Sequence, residues 1–164
     1  MQYWILNHNP KLLPTNVPCP AGVPENRDYW HISRYEDEIA IDDVAFVWHA
    51  GTRRGIYDVA KIRSVPPHKR EADDQIELLK KNDDPFWTDV HEKERLRRLP
   101  TVLIERQCPG GLNHPVLVEE LRTNGFDNLP VIQMPRPGIY RVELAVGVRL
   151  LEYIRRTRRC TRQL

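Results

Sequence analysis

Hydrophobic positions along the chain fall into short blocks separated by polar, glycine- and proline-rich stretches. Tyr3-Trp4-Ile5-Leu6 reads as a short strand, and Val44-Ala45-Phe46-Val47-Trp48-His49 is the strongest strand signal in the chain. After the latter come Ala50-Gly51-Thr52-Arg53-Arg54-Gly55 and a second apolar run from Ile56 to Ile62. Two glycines around a basic tip between apolar runs predict a hairpin, which Pro66-Pro67 brings to an end. Glu71 to Lys81 is polar with Ile76, Leu78 and Leu79 on part of its circumference, as in an exposed helix or ordered loop. Thr101 to Glu105 predicts another strand. Pro115 suits the first turn of a helix running through Val116 to Leu121, with Gly125 as its stop. Gly138 to Val142 predicts a strand. From Glu143 onward Val146, Leu150, Leu151 and Ile154 recur at helical spacing and predict an amphipathic helix against a sheet.

Two stretches break this rhythm. Five prolines (Pro10, Pro14, Pro18, Pro20, Pro24) lie between Asn9 and Glu25, so that region is a long loop that neither helix nor central strand tolerates. Ile32 to Glu38 predicts a helical turn. The sum is an α+β domain: a mostly antiparallel curved sheet or barrel with a few short helices.

Size and charge narrow the reading. A chain of 164 residues, 40% apolar and 29% charged, suits one globular domain with a single core. No apolar run approaches the roughly 20 residues that span a bilayer, and MQYWILNHNP lacks the layout of a signal peptide. Cys19, Cys108 and Cys160 are odd in number and widely spaced, with no C-x-x-C pair, which argues against a disulfide framework and a zinc site and for a reducing, cytoplasmic setting. The net charge of +2 hides an asymmetry. Residues 155–164 hold five arginines and no acid, leaving 20 basic against 23 acidic side chains in the rest. The body is therefore no broad basic face for nucleic acid, and any such binding rests on a pocket and a few local cations.

Catalytic patterns are missing from the sequence. No glycine-rich phosphate loop follows a strand, and no serine occupies a nucleophile elbow. The six histidines (His8, His31, His49, His68, His91, His114) show no metal spacing. Asp42-Asp43, Asp73-Asp74 and Asp83-Asp84 are adjacent pairs that read as strand-start and loop residues, since neighbours in extended chain point apart. The expectation is no metal, no cofactor and no catalytic residue. What the chain does hold is a set of aromatic and amide residues near its N-terminus and hairpin: Trp4, Asn7, Asn9, Trp30, Trp48, His49 and Tyr57. Flat apolar rings stack on nucleobases, and an asparagine bonds a base edge as donor and acceptor.

The order of these pieces resembles a known family. YWILNHNP, then Trp30 ahead of DDVAFVWHAGTRRGIYDVAKIRSVP, is similar to the EVE domain, a PUA-like relative of YTH domains. Asp42-Asp43 stands where that family has Gly-Asp. FWTDV, TVLIERQ and the HPV…EELR segment fall where the family has later strands, and MPRPGIYRVELAVGVRLLEYI resembles its ending. The resemblance covers residues 1–155, with 156–164 left as a basic tail or the start of a linker. It implies a PUA-like curved antiparallel β-barrel with short flanking helices. It further implies a reader, not an enzyme. Such a domain flips a modified base, typically 5-methylcytosine or 5-hydroxymethylcytosine in double-stranded DNA, into an aromatic pocket. Prokaryotic members often serve as sensors in modification-dependent restriction, joined to a nuclease.

For individual residues the readings stay open. The candidate base-contacting set is Trp30, Trp48, Asn7, Asn9, His49 and Tyr57, with Arg53 and Arg54 on the phosphate backbone or as a wedge. Trp30 is a cage aromatic or core. Trp48 shares a strand face with Val44 and Phe46, which favours the core, yet it ends the strand beside the hairpin. His49 points away from Trp48 in a regular strand, so only one of them lines a pocket unless a bulge intervenes. Asn7 and Asn9 cap a turn or meet a base, Tyr57 is cage or core, Trp4 is core, and Trp87 is core or a sheet cover. The other functions in play are an RNA-binding module reading a modified or unpaired nucleotide, a nucleotide-acting enzyme using His49, and a plain interaction domain.

Overall fold

The computed structural model describes residues 1–14, 17, 19–108, 111–136 and 138–158. Seven strands form one sheet: β1 (Tyr3–His8), β2 (Arg27–His31), β3 (Val44–His49), β4 (Gly55–Ser64), β5 (Thr101–Arg106), β6 (Val116–Leu117) and β7 (Gly138–Val142). Six of them follow the order β2-β5-β4-β3-β1-β7, and β6 pairs with the start of β4. All pairs are antiparallel except β1 with β3, which run side by side in the same direction. The helices are α1 (Arg70–Asp83), α2 (Val90–Arg97), α3 (Val118–Thr123), α4 (Pro130–Gln133) and α5 (Leu144–Thr157), with a 3-10 turn at Asp84–Phe86.

Period-two alternation divides the core in two. Tyr3 and Ile5 of β1 and Val44, Phe46 and Trp48 of β3 face one way, packing with Leu121, Leu129, Leu150, Leu151 and Ile154 from α3 to α5. Trp4, Leu6, Ala45, Val47, Ala60, Ile62, Val102, Ile104 and Ile139 face the other way and pack on one another. Six strands contribute to sheet pairing while their second-face residues meet without any helix between them. The sheet is thus curled into a half-barrel, and this second cluster fills the inside of the curl. A third, smaller cluster seats Ile76 and Leu79 of α1 on Tyr29 and Leu103. Among the described residues no helix is long and apolar enough to cross a membrane.

A β-bulge corrects the simple alternation of the hairpin. Val47 pairs with Asp58 but Trp48 pairs with Ile56, so Tyr57 is an extra residue in β4. Ile56 and Val59 consequently both face the helices, whereas Asp58 joins Ala60 on the inner side of the sheet. The Asp42-Asp43 pair also divides its labour. Asp42 has a left-handed backbone, φ 68°, which explains why glycine suits the position. Asp43 is buried, and its carboxylate accepts from the Gln2 amide (2.6 Å), the Trp4 indole (2.9 Å) and the Ala40 amide (3.0 Å).

Several local expectations change. Ile32 to Glu38 makes turns, not a helix. Val116 and Leu117 form β6, and the helix starts only at Val118, because Gly55 and Ile56 offer a strand edge to pair with. FWTDV, aligned with a family strand, instead ends the 3-10 turn and caps α2, where the Asp89 carboxylate accepts from the Glu92 amide at 3.0 Å. Strand β2 and helix α2 have too little apolar periodicity to be read from sequence: α2 buries no residue, and β2 is an edge strand of sequence RDYWH. Cys108 is disulfide-bonded, which corrects the reading against disulfides, while Cys19 is free.

Candidate functional site

The inner face of the half-barrel changes character along its length. Toward the starts of β1 and β3 it is apolar. At their ends the same alternation carries on into His8 beyond Leu6, and His49 beyond Val47. Strand β5 continues from Val102 and Ile104 to Arg106, and β2 contributes Asp28 and Trp30, which pair opposite Ile104 and Val102. Because β5 ends where β2 begins, four strands deliver histidine, arginine, carboxylate and indole to one place. A cavity of about 600 Å³ opens there, within the range of ligand sites.

The cavity's other walls come from outside the sheet. Leu12, Leu13, Pro14 and Val17 of the proline-rich loop line it, together with Trp87 from the segment between α1 and α2. That loop is held in place at two points. The Thr88 amide donates to the Leu12 carbonyl at 3.0 Å, and the Thr88 hydroxyl donates to the Lys11 carbonyl at 2.6 Å. On the barrel side His8 Nε2 bonds the Leu13 carbonyl at 2.7 Å.

Aromatic contacts stiffen the rim. The His8 ring meets Trp30 edge-on, with centroids 5.7 Å apart, and lies 5.5 Å from His49. Behind His49, the bulged Tyr57 stacks at 4.0 Å and 17° and donates its hydroxyl to the Arg53 carbonyl at 2.7 Å. Burial keeps the histidines neutral: desolvation brings His8 and His31 down to about 4 and His49 to about 3. Arg106 is anchored from beneath, its Nε donating at 2.7 Å to Asp58, whose side chain is fully buried. Burial lifts the Asp58 carboxyl to about 6 even against that guanidinium.

The candidate residues are therefore separated by the fold. Trp30, Asn7, Asn9 and His49 line the cavity. The Asn7 side-chain amide donates to the Arg136 carbonyl at 2.6 Å, and Oδ1 of Asn9 accepts from the Lys11 backbone amide at 3.1 Å in a turn. Trp48, 1% exposed, packs on the helix side of the sheet and does not reach the cavity. Tyr57 stands behind His49, outside the cavity lining. Arg53 is exposed at the hairpin tip, with Arg54 half-buried beside it. Trp87, read from sequence as core or a sheet cover, is half-buried at the cavity wall, and His8, Asp28 and Arg106 escaped notice. For the last three a signal existed: each continues the inward parity of a strand beyond its apolar part.

Solved structures share this architecture across almost the whole chain. Human THYN1, solved in complex with 5-methylcytosine-containing DNA, matches with TM-score 0.58 at 14% identity, covering 93% of this chain and 97% of its own. The fold is PUA-like. A hypothetical protein from Leishmania major gives TM-score 0.58 at 14% identity, covering 95% of this chain and 96% of its own. Rpa0253 from Rhodopseudomonas palustris gives TM-score 0.57 at 16% identity, covering 92% of this chain and 90% of its own. At such identities the likeness establishes fold and nothing finer. No protein-family model and no curated protein matches the sequence.

Proposed function

We propose that this PUA-like domain reads a modified base, 5-methylcytosine or 5-hydroxymethylcytosine, in double-stranded DNA by taking the flipped base into the cavity. The observation that carries the reading is the Trp30-lined cavity at the polar end of the half-barrel. An indole ring supplies a stacking surface, neutral histidines and Asn7 supply polar edges, and the loop wall of Leu12, Leu13 and Pro14 offers apolar volume to a methyl group. THYN1, similar in fold, is a protein solved with DNA carrying that modification, which supports the choice of ligand. Arg53 and Arg54, near the cavity through His49 and Tyr57, serve the phosphate backbone. The domain has a recognition role without chemistry of its own, and its EVE-like resemblance supports service as the sensor of a modification-dependent restriction endonuclease, with a fused or partner nuclease.

The test is a gel-shift comparison of matched duplexes carrying cytosine, 5-methylcytosine or 5-hydroxymethylcytosine at one position. Tighter binding to a modified duplex is expected. Equal affinity for all three removes the modified-base reading, and stronger binding to a modified RNA of the same sequence replaces DNA with RNA.

A further inference from the structure

Strand β2 presents Asp28 and Trp30 on the same inner face, two residues apart and so separated by about 6.7 Å along the strand. Both line the cavity. One oxygen of Asp28 accepts from the Tyr29 amide at 2.8 Å. The other has no hydrogen-bond donor among the described residues, and it is not sealed off either: Asp28 is half-buried and absent from the buried polar atoms lacking partners. Its free oxygen therefore opens onto the cavity. Burial raises the Asp28 carboxyl above its ordinary value, and the Arg106 guanidinium and the Tyr29 amide oppose that rise by favouring the ionised form.

A carboxylate at this place can only accept while ionised. A ring stacked on Trp30 extends its edge toward the open Asp28 oxygen, so the pair examines one edge of the ring. Cytosine offers an exocyclic amino group there, whereas thymine and uracil offer a carbonyl oxygen that faces the carboxylate acceptor to acceptor. We propose that Asp28 is the specificity residue of the cavity, accepting a hydrogen bond from the exocyclic amino group of the flipped base and rejecting keto bases. This rests on the base-reading function above. It differs from it in assigning the discrimination of amino from keto, independent of the 5-substituent.

The experiment measures binding of the full chain to duplexes with one variable base opposite an abasic site, which equalises the cost of extrusion. The bases are 5-methylcytosine, thymine, and 5-methyl-2-pyrimidinone, which lacks only the amino group. The native protein is expected to bind the last two about 10- to 100-fold more weakly than 5-methylcytosine, the worth of a hydrogen bond to a charged group. Asp28→Asn, whose amide presents a donor as well as an acceptor, should bring all three within about threefold. Equal binding of 5-methylcytosine and 5-methyl-2-pyrimidinone by the native protein overturns the proposal without use of any variant. Full discrimination retained by a folded Asp28→Asn overturns it as well. Failure of the modified-base reading looks different: cytosine and 5-methylcytosine then bind equally in the gel-shift comparison above, while the amino-versus-keto preference persists here.

Discussion

Gly147 of α5 lies directly on the ring of Tyr3, so close that a Cβ at position 147 would fall well inside van der Waals contact with three of its side-chain atoms. Tyr3 is 2% exposed and stacks on Phe46, 6.1 Å away, so it has nowhere to retreat. The glycine is what lets the last helix seat against β1.

Gly147→Ala should therefore destabilise the protein by about 1–3 kcal/mol, although alanine is the better helix former by about 1 kcal/mol. Urea denaturation followed by far-UV circular dichroism measures it. A variant as stable as the native chain would show that α5 can shift outward at little cost.

Asp43 gathers three donors at the start of β3, one of them the indole of a Trp4 with no exposed surface. Asp43→Ala should cost about 2–4 kcal/mol, because each buried donor loses its acceptor together. Asp43→Asn, which keeps one acceptor oxygen, should lose less. Equilibrium unfolding of the two variants gives the ordering.

Trp30 and Trp48 should separate binding from folding. Trp30→Ala is expected to lower affinity for 5-methylcytosine duplexes by about 10- to 100-fold, given about 1–3 kcal/mol per stacked base. Trp48→Ala should instead cost about 3–5 kcal/mol of stability, as for other buried aromatics. Any of that variant that remains folded should keep the native ratio of modified to unmodified binding. Gel shifts and thermal melts on both proteins decide.

The buried histidines tie the stability of the fold to pH. His8 and His31 sit near 4 and His49 near 3 in the folded protein, below the ordinary histidine value of 6.5. As pH falls below 6.5 the unfolded chain takes up protons that the folded one refuses, so their contribution is present above that value and lost down to about pH 4. Asp58 and Asp83, lifted to about 6, and Asp28, pushed up by burial, work the other way as the pH falls toward the ordinary carboxylate range. His49 is displaced furthest of the three histidines, so its share can be isolated. The urea midpoint of His49→Phe should fall less between pH 6.5 and 4.5 than that of the native chain.

If Arg53 and Arg54 meet phosphates, replacing both with alanine should reduce the slope of log affinity against log salt by about 2. The ratio of modified to unmodified binding should stay the same, since phosphates carry no base information. Titrations at three salt concentrations measure both quantities.

The sequence by itself determined the strands whose apolar residues repeat at period two, the β3–β4 hairpin and the amphipathic α5. In each, local periodicity and turn chemistry agree with the final packing. It also determined the aromatic and amide inventory from which the cavity is drawn. Only the tertiary structure decided which members meet. Trp48 and His49 are neighbours in sequence, yet opposite faces of one strand send the first into the core and the second to the cavity. Asp28 and Trp87 are 59 positions apart and share a wall because the edge strand and the α1–α2 segment flank the same opening. The bulge at Tyr57 resets the parity of β4, and nothing local to that strand announces it, since its position depends on register with β3. Parity along a strand is local information; which strand ends close around a common space is fixed by the order and curl of the whole sheet.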